Sequence, residues 1–179
     1  MNVDILLTGA GGQLGWEVAR RVRAPLTIKA LNRAQLDITD RQKVFNAIAA
    51  VSPKVVINGA AYTAVDKAES DPKTAFAVNR DGPAYLAEAC SHYNLPLIHV
   101  STDYVFDGRK AGPYVEDDHV APLGVYGESK WAGEVAVREG CARHVILRTS
   151  WIHGIHGSNF VKTMLRLGQD HDQIGVVDD

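Results

Sequence analysis

The sequence predicts an α/β fold, a doubly wound parallel sheet of the Rossmann type with six strands. Two observations carry that prediction. Short apolar runs alternate with amphipathic helical segments along the whole chain. The first run empties into Thr8-Gly9-Ala10-Gly11-Gly12-Gln13-Leu14-Gly15, a glycine turn placed between a strand and a helix. No internal repeat or low-complexity linker divides the 179 residues, so 1–179 is expected to be one domain.

Each element follows from local pattern. Val3 to Thr8 reads as a buried strand, and Gln13 to Val22 as a helix with Leu14, Val18, Ala19 and Val22 on one side. Leu26 to Leu31 is the second strand. Asp40 is an N-cap candidate for a helix ending before Pro53, and Val55 to Ile57 is the third strand. Asp71-Pro72 has the form of an N-cap and first helical residue, opening a helix through Ala89 and Cys90; Gly82-Pro83 inside it predicts a kink or break. Leu97 to Val100 is the fourth strand, Pro122 to about Arg138 a helix, and His144 to Leu147 the fifth strand. A helix over Asn159 to Leu167 and a sixth strand over Ile174 to Val177 complete the series. That strand runs into Asp178-Asp179 without a closing helix, so most of a substrate domain is expected beyond residue 179.

Composition excludes several classes. A net charge of -2 leaves no electrostatic footprint for nucleic acid or an anionic membrane. The apolar runs are far shorter than a membrane span, and Met1-Asn2-Val3-Asp4 has no basic leader. Cys90 and Cys141 are isolated, without metal spacing, and His99, His144, His153 and His156 are scattered. No metal site is expected, and the location is expected to be cytoplasmic.

The glycine turn suits a dinucleotide pyrophosphate. Gly9 and Gly12 let the backbone turn and approach closely, Gly15 lets the helix pack on the sheet, and the helix N-terminus offers unpaired N–H groups. The second strand ends in Asn32-Arg33, where an acid commonly receives the ribose hydroxyls of NAD. Arg33 would instead pair with a 2′-phosphate, which favours NADP(H) over NAD(H); a solvated surface charge is the alternative. Asp37-Ile38 is placed to meet the adenine edge, and Asp37 is equally suited to a turn or cap. Ala60, Ala61, Tyr62 and Thr63, just past the third strand, leave room for a cofactor, although a tight turn would explain the small residues too.

Tyr126 and Lys130 are four apart and share a helix face. Reducing a ketone needs hydride on carbon and a proton on oxygen. A free phenol, with a pKa near about 10, is a poor donor at neutral pH. An ammonium at about 4 Å with an effective dielectric of about 20 is worth about 4 kcal/mol, which predicts a phenol near about 7. Thr102, at the end of the fourth strand, can orient the carbonyl, or merely bond to backbone. The set Thr102, Tyr126 and Lys130 therefore points to nicotinamide-dependent carbonyl reduction.

The longer tracts around these residues are Gly12 to Glu17, Asn58 to Glu69, Ser101 to Gly108, Tyr126 to Glu134 and Arg148 to Trp151. They resemble extended short-chain dehydrogenases/reductases, in particular the dTDP-4-dehydrorhamnose reductase family. The resemblance implies reduction of the 4-keto group of a dTDP-sugar, in nucleotide-sugar synthesis for cell-surface polysaccharide. It implies that Gly12, Gln13 and Leu14 meet the pyrophosphate, Asp37 and Ile38 the adenine, and Ala61, Tyr62 and Thr63 the cofactor groove. Thr102 and Asp103 would meet the substrate sugar, Tyr126 would donate the proton beside Lys130, and Trp151 would pack on the nucleotide sugar; a core Trp is its alternative. Family members run longer. Some form homodimers through Mg2+ held by the acid matching Glu17, with the other ligands expected past Asp179.

Two other readings compete. A nucleotide-sugar dehydratase or epimerase would be expected to carry extra acids, whereas Thr102-Asp103-Tyr104 offers only Asp103. A non-catalytic cofactor-binding subunit, similar to the regulatory subunit of methionine adenosyltransferase, would not need Thr102, Tyr126 and Lys130 intact.

Overall fold

The computed structural model describes residues 3–175. Five parallel strands form one sheet in the order β2-β1-β3-β4-β5. They are β1 (Ile5–Thr8), β2 (Ile28–Leu31), β3 (Val55–Asn58), β4 (Leu97–Thr102) and β5 (His144–Thr149). Ile5 lies opposite both Ile28 and Val55, which sets β1 between β2 and β3. All four residues of β1 are buried, as an apolar run covered on both faces must be.

The crossovers decide where the helices lie. From β1 the chain steps one way to β2, then back past β1 to β3, β4 and β5. Right-handed connections then put α1 (Gln13–Arg21) on one face and α2 (Arg41–Val51), α5 (Gly82–His92) and α6 (Val125–Gly140) on the other. The core under that second layer is Leu6, Val44, Ile48, Val56, Leu86, Leu97 and Val137. Cys90 and Cys141 are buried with it, and desolvation, with Cys141 adding a smaller push, drives the Cys90 thiol up to about 12. The step from β1 to β3 is the reversal of strand order, so a crevice opens at the carboxyl ends of those strands.

Three helix starts carry side-chain caps. The Asp40 carboxylate accepts from Lys43 N at 3.1 Å, that of Asp71 accepts from Thr74 N at 3.3 Å, and the Asn159 side chain accepts from Lys162 N at the start of α7 (Phe160–Asp170).

Two expectations are refined and one helix was not foreseen. The kink or break expected at Gly82-Pro83 takes the form of a π turn just before it, with the helical path continuing. Pro83 has no N–H to give the Asn79 carbonyl, and the path widens into a π turn over Ala77–Asp81 between α4 (Pro72–Phe76) and α5, closed by Gly82 N on Ala77 O. A short helix absent from the sequence reading, α3 (Val65–Ser70), follows β3. Ile174 and Gly175 carry no strand, so the sheet has five strands among the described residues rather than six; Val176 and Val177 lie outside them. No helix among the described residues is long and apolar enough to cross a membrane.

Candidate active site

The glycine turn is built by close backbone contact. Gly9 has φ +71, and a Cβ there would lie 2.5 Å from Ala60 N, so this position excludes any side chain on both counts. A Cβ on Gly15 would collide with the Gly9 carbonyl. Gly15 is therefore the packing glycine of α1 and sits away from the cavity walls, whereas Gly9 and Gly12 line them.

Two cavities meet at Gly12, Gly59 and Ala61. The first, about 250 Å3, runs past Arg33, Asp37, Ile38, Ala60 and Tyr62. The second, about 370 Å3, runs past Gln13, Leu14, Thr63, Thr102, Asp103, Tyr126, Lys130 and Trp151. The structure thus brings the two ends of the site, far apart in sequence, onto one groove along the strands' carboxyl edge. Asn32, like Gly15, stands apart from it. Its side chain closes a turn with Gln35, accepting from Gln35 N at 3.1 Å, and it is absent from the cavity walls.

Asp37 does two things at once. Oδ1 accepts from Thr39 N at 3.0 Å and from Thr39 Oγ1 at 2.8 Å, which holds the carboxylate below its usual range, and the residue still lines the first cavity. Ile38 turns its side chain into the core against Gly82 while still lining the first cavity. Trp151 is no core residue: it is 73% exposed, with its ring edge-on to Phe160 at 5.0 Å between centroids.

Beneath the groove lies a buried polar chain. Asn58 Oδ1 accepts from Thr8 Oγ1 at 2.6 Å and from Ala60 N at 3.1 Å, so its Nδ2 must be the donor to His99 Nδ1 at 3.0 Å. Desolvation, and secondarily the Lys130 charge, hold His99 well below its usual range, so this imidazole stays neutral.

Lys130 is fully enclosed, and its ammonium donates to Val100 O at 2.7 Å. Desolvation outweighs the favourable charge of Glu134 and lowers its pKa from 10.5 to about 8. Tyr126 is also buried, edge-on to Tyr104. Here the expected lowering of the phenol is corrected. Burial raises Tyr126 above 10.0, only partly offset by the Thr102 hydroxyl, with Asp103 and Tyr104 adding to the rise. Four-residue spacing brought the two side chains to one face; it did not account for the water stripped from both. Thr102 Oγ1 also donates to Asp103 Oδ1 at 3.1 Å and accepts from Tyr104 N, which fixes it at the strand end.

Asn79, in the π turn, was missed by sequence reasoning. Its Oδ1 accepts from Tyr62 N at 2.8 Å, and its Nδ2 donates to Tyr62 O and to Ser129 Oγ, both at 3.0 Å. It thereby joins the groove loop to α6. Asn79→Ala leaves part-buried backbone groups of Tyr62 unpaired and is expected to destabilise the chain by about 1 to 2 kcal/mol in urea unfolding; a loss below about 0.5 kcal/mol would mean the clamp is dispensable.

Glu17 receives Arg21 Nε at 3.2 Å, and no group of three or more His, Cys, Asp or Glu side chains suited to a metal converges among the described residues. These residues do not by themselves form a magnesium site.

Comparison with known proteins agrees with this geometry. The family profile described as RmlD substrate binding domain matches residues 1–179. A dTDP-4-dehydrorhamnose reductase of Sinorhizobium fredii is 47% identical over 175 residues, covering 98% of this chain and 59% of the relative. One from Aggregatibacter actinomycetemcomitans is 49% identical, covering 98% of this chain and 60% of the relative. The crystal structure of dTDP-4-dehydrorhamnose reductase from Bacillus anthracis in complex with NADP superposes with a TM-score of 0.94 at 38% identity, covering 97% of this chain and 62% of that one. The chain thus spans about 60% of the length of the curated relatives it matches.

Proposed function

Since the chain belongs to the family described as RmlD substrate binding domain, we propose that it carries the dinucleotide turn and proton-donating set of an NADPH-dependent reductase. The proposed reaction converts the 4-keto group of dTDP-4-dehydro-L-rhamnose to the alcohol of dTDP-L-rhamnose, in the cytoplasm. The observation that carries this reading is one cavity wall shared by Gly12, Gln13 and Leu14 with Thr102, Tyr126 and Lys130.

NADPH supplies the hydride when bound. The amides at the start of α1 and the glycine turn would receive its pyrophosphate. Arg33 would pair with the 2′-phosphate, and Asp37, whose Oδ1 is already held by Thr39, would accept from the adenine amino group. The Thr102 hydroxyl orients the substrate carbonyl, Asp103 receives sugar hydroxyls, and Trp151 packs on the nucleotide sugar. Tyr126 donates its proton to the carbonyl oxygen. Burial keeps that phenol protonated at neutral pH, as a donor must be. The Lys130 cation, with a pKa of about 8, stabilises the phenolate as it forms.

The cofactor preference has its own check. Arg33→Ser should weaken NADPH binding about tenfold while leaving NADH within about twofold, read by fluorescence titration of this chain. Equal loss of both would remove Arg33 from phosphate recognition.

The activity is tested by loss of NADPH absorbance with dTDP-4-dehydro-L-rhamnose. The assay compares this chain alone with a chimaera joining it to the unmatched remainder of the Sinorhizobium fredii relative. Turnover by the chimaera supports the reductase. A chimaera that folds and binds NADPH but never oxidises it would favour the cofactor-binding regulatory role.

A further inference from the structure

The N-terminus of α6 lacks the usual local cap. Its N-cap residue is Gly124, which has no side chain to offer, and the first-turn amide of Val125 instead donates to Glu69 Oε1 at 2.8 Å. Glu69 belongs to α3, the short helix that leaves the cofactor groove directly after Tyr62 and Thr63. A carboxylate here satisfies an orphan amide and faces the positive end of the α6 dipole.

Gly124 carries a second, independent mark of the same contact. A Cβ built on it would lie 2.8 Å from Glu69 Oε1, and the only other atom it would approach within 4 Å is Glu69 Cδ. Gly124 is extended, with φ -151, so its backbone does not demand glycine. The Glu69 carboxylate occupies the room a side chain there would take, and as the end of a flexible side chain it is the group that would have to move. The residue after Val125 is Tyr126. Around it, Tyr62, Val65 and Val125 pack against Ala68, Ala75 and Tyr126 as one apolar cluster.

We propose that Glu69 is a positioning residue for the reductase reaction: by capping α6 from α3, it sets the Tyr126 phenol against the nucleotide groove. This rests on the function proposed above. The cap ties the first turn of the helix to the element that follows the groove, so an error in either displaces the proton donor relative to the bound dinucleotide. A displacement of even a fraction of an ångström falls on the chemical step, because general acid catalysis needs the phenol within hydrogen-bond reach of the carbonyl oxygen.

The test has two readouts, both made on the chimaera described above. In turnover, Glu69→Ala should lower kcat about tenfold with KM for NADPH within about twofold. Glu69→Gln, which keeps an acceptor oxygen, should retain at least about half of kcat, and Gly124→Ala should reproduce Glu69→Ala because its methyl displaces the carboxylate. The double variant should lose no more than either single one. In amide hydrogen exchange, Val125 should lose about tenfold of its protection in Glu69→Ala and Gly124→Ala and keep it in Glu69→Gln. Altered Val125 exchange with no turnover in the unsubstituted protein would sink the reductase and leave the cap standing. Unchanged Val125 exchange in Glu69→Ala, equal kcat losses in the Ala and Gln variants, or NADPH affinity falling in step with kcat would overturn the positioning role.

Discussion

Tyr126→Phe should lower kcat by about a thousandfold and leave the NADPH dissociation constant within about twofold, because removing a general acid costs about 10²- to 10⁴-fold. The substitution keeps the ring, which is buried and edge-on to Tyr104, so the packing of α6 survives. It removes only the hydroxyl, whose neutral state burial protects. Steady-state turnover and fluorescence titration together check it. A variant with near-normal kcat would take the proton-donor role from Tyr126. A variant that lost NADPH affinity along with turnover would make the phenol a cofactor anchor instead.

Lys130→Met should have two opposite effects. Turnover should fall by at least about a hundredfold, since the phenolate formed at Tyr126 loses its neighbouring cation. The folded chain should nevertheless gain about 3 kcal/mol at neutral pH, the cost of holding a lysine at about 8 instead of 10.5. Lys130 binds its proton less tightly when folded than when unfolded. Its penalty is therefore full below pH 8 and fades as pH climbs toward 10.5, so the variant's advantage should shrink across that window. Cys90 works against stability as pH rises from 9.0 to about 12, but it is common to both proteins and drops out of the difference. Urea unfolding at several pH values checks this; a Met variant less stable at pH 7 would show that Glu134 and the Val100 carbonyl repay the burial.

Both effects depend on burial that no single stretch of sequence reveals. The glycine turn, the Asp40 and Asp71 caps and the four-residue spacing of Tyr126 and Lys130 are local patterns, and each appears in the structure. The direction of the Tyr126 shift is not local. It depends on how completely β4, α3 and α6 exclude water, which spacing along one helix does not reveal. Asn79 was invisible for a similar reason: its partners lie 17 and 50 residues away, and nothing around Val78-Asn79-Arg80 sets it apart from an exposed helix face. Glu69 lies 56 residues from the amide it caps, in a helix too short for periodicity to register. Of the sixth strand expected over Ile174 to Val177, only Ile174 and Gly175 are described, and they carry no strand.

The central claim is that the glycine turn and the Tyr126–Lys130 pair serve one reduction, with hydride going to the sugar's keto carbon and a proton to its oxygen. Reaction of the chimaera with dTDP-4-dehydro-L-rhamnose and NADPH carrying deuterium on the reactive nicotinamide carbon tests it most directly, with the product read by NMR. The account predicts deuterium at C4 of the rhamnosyl ring and nearly none in the Tyr126→Phe reaction. Deuterium at another carbon, or a rhamnosyl product formed without any label, would contradict it.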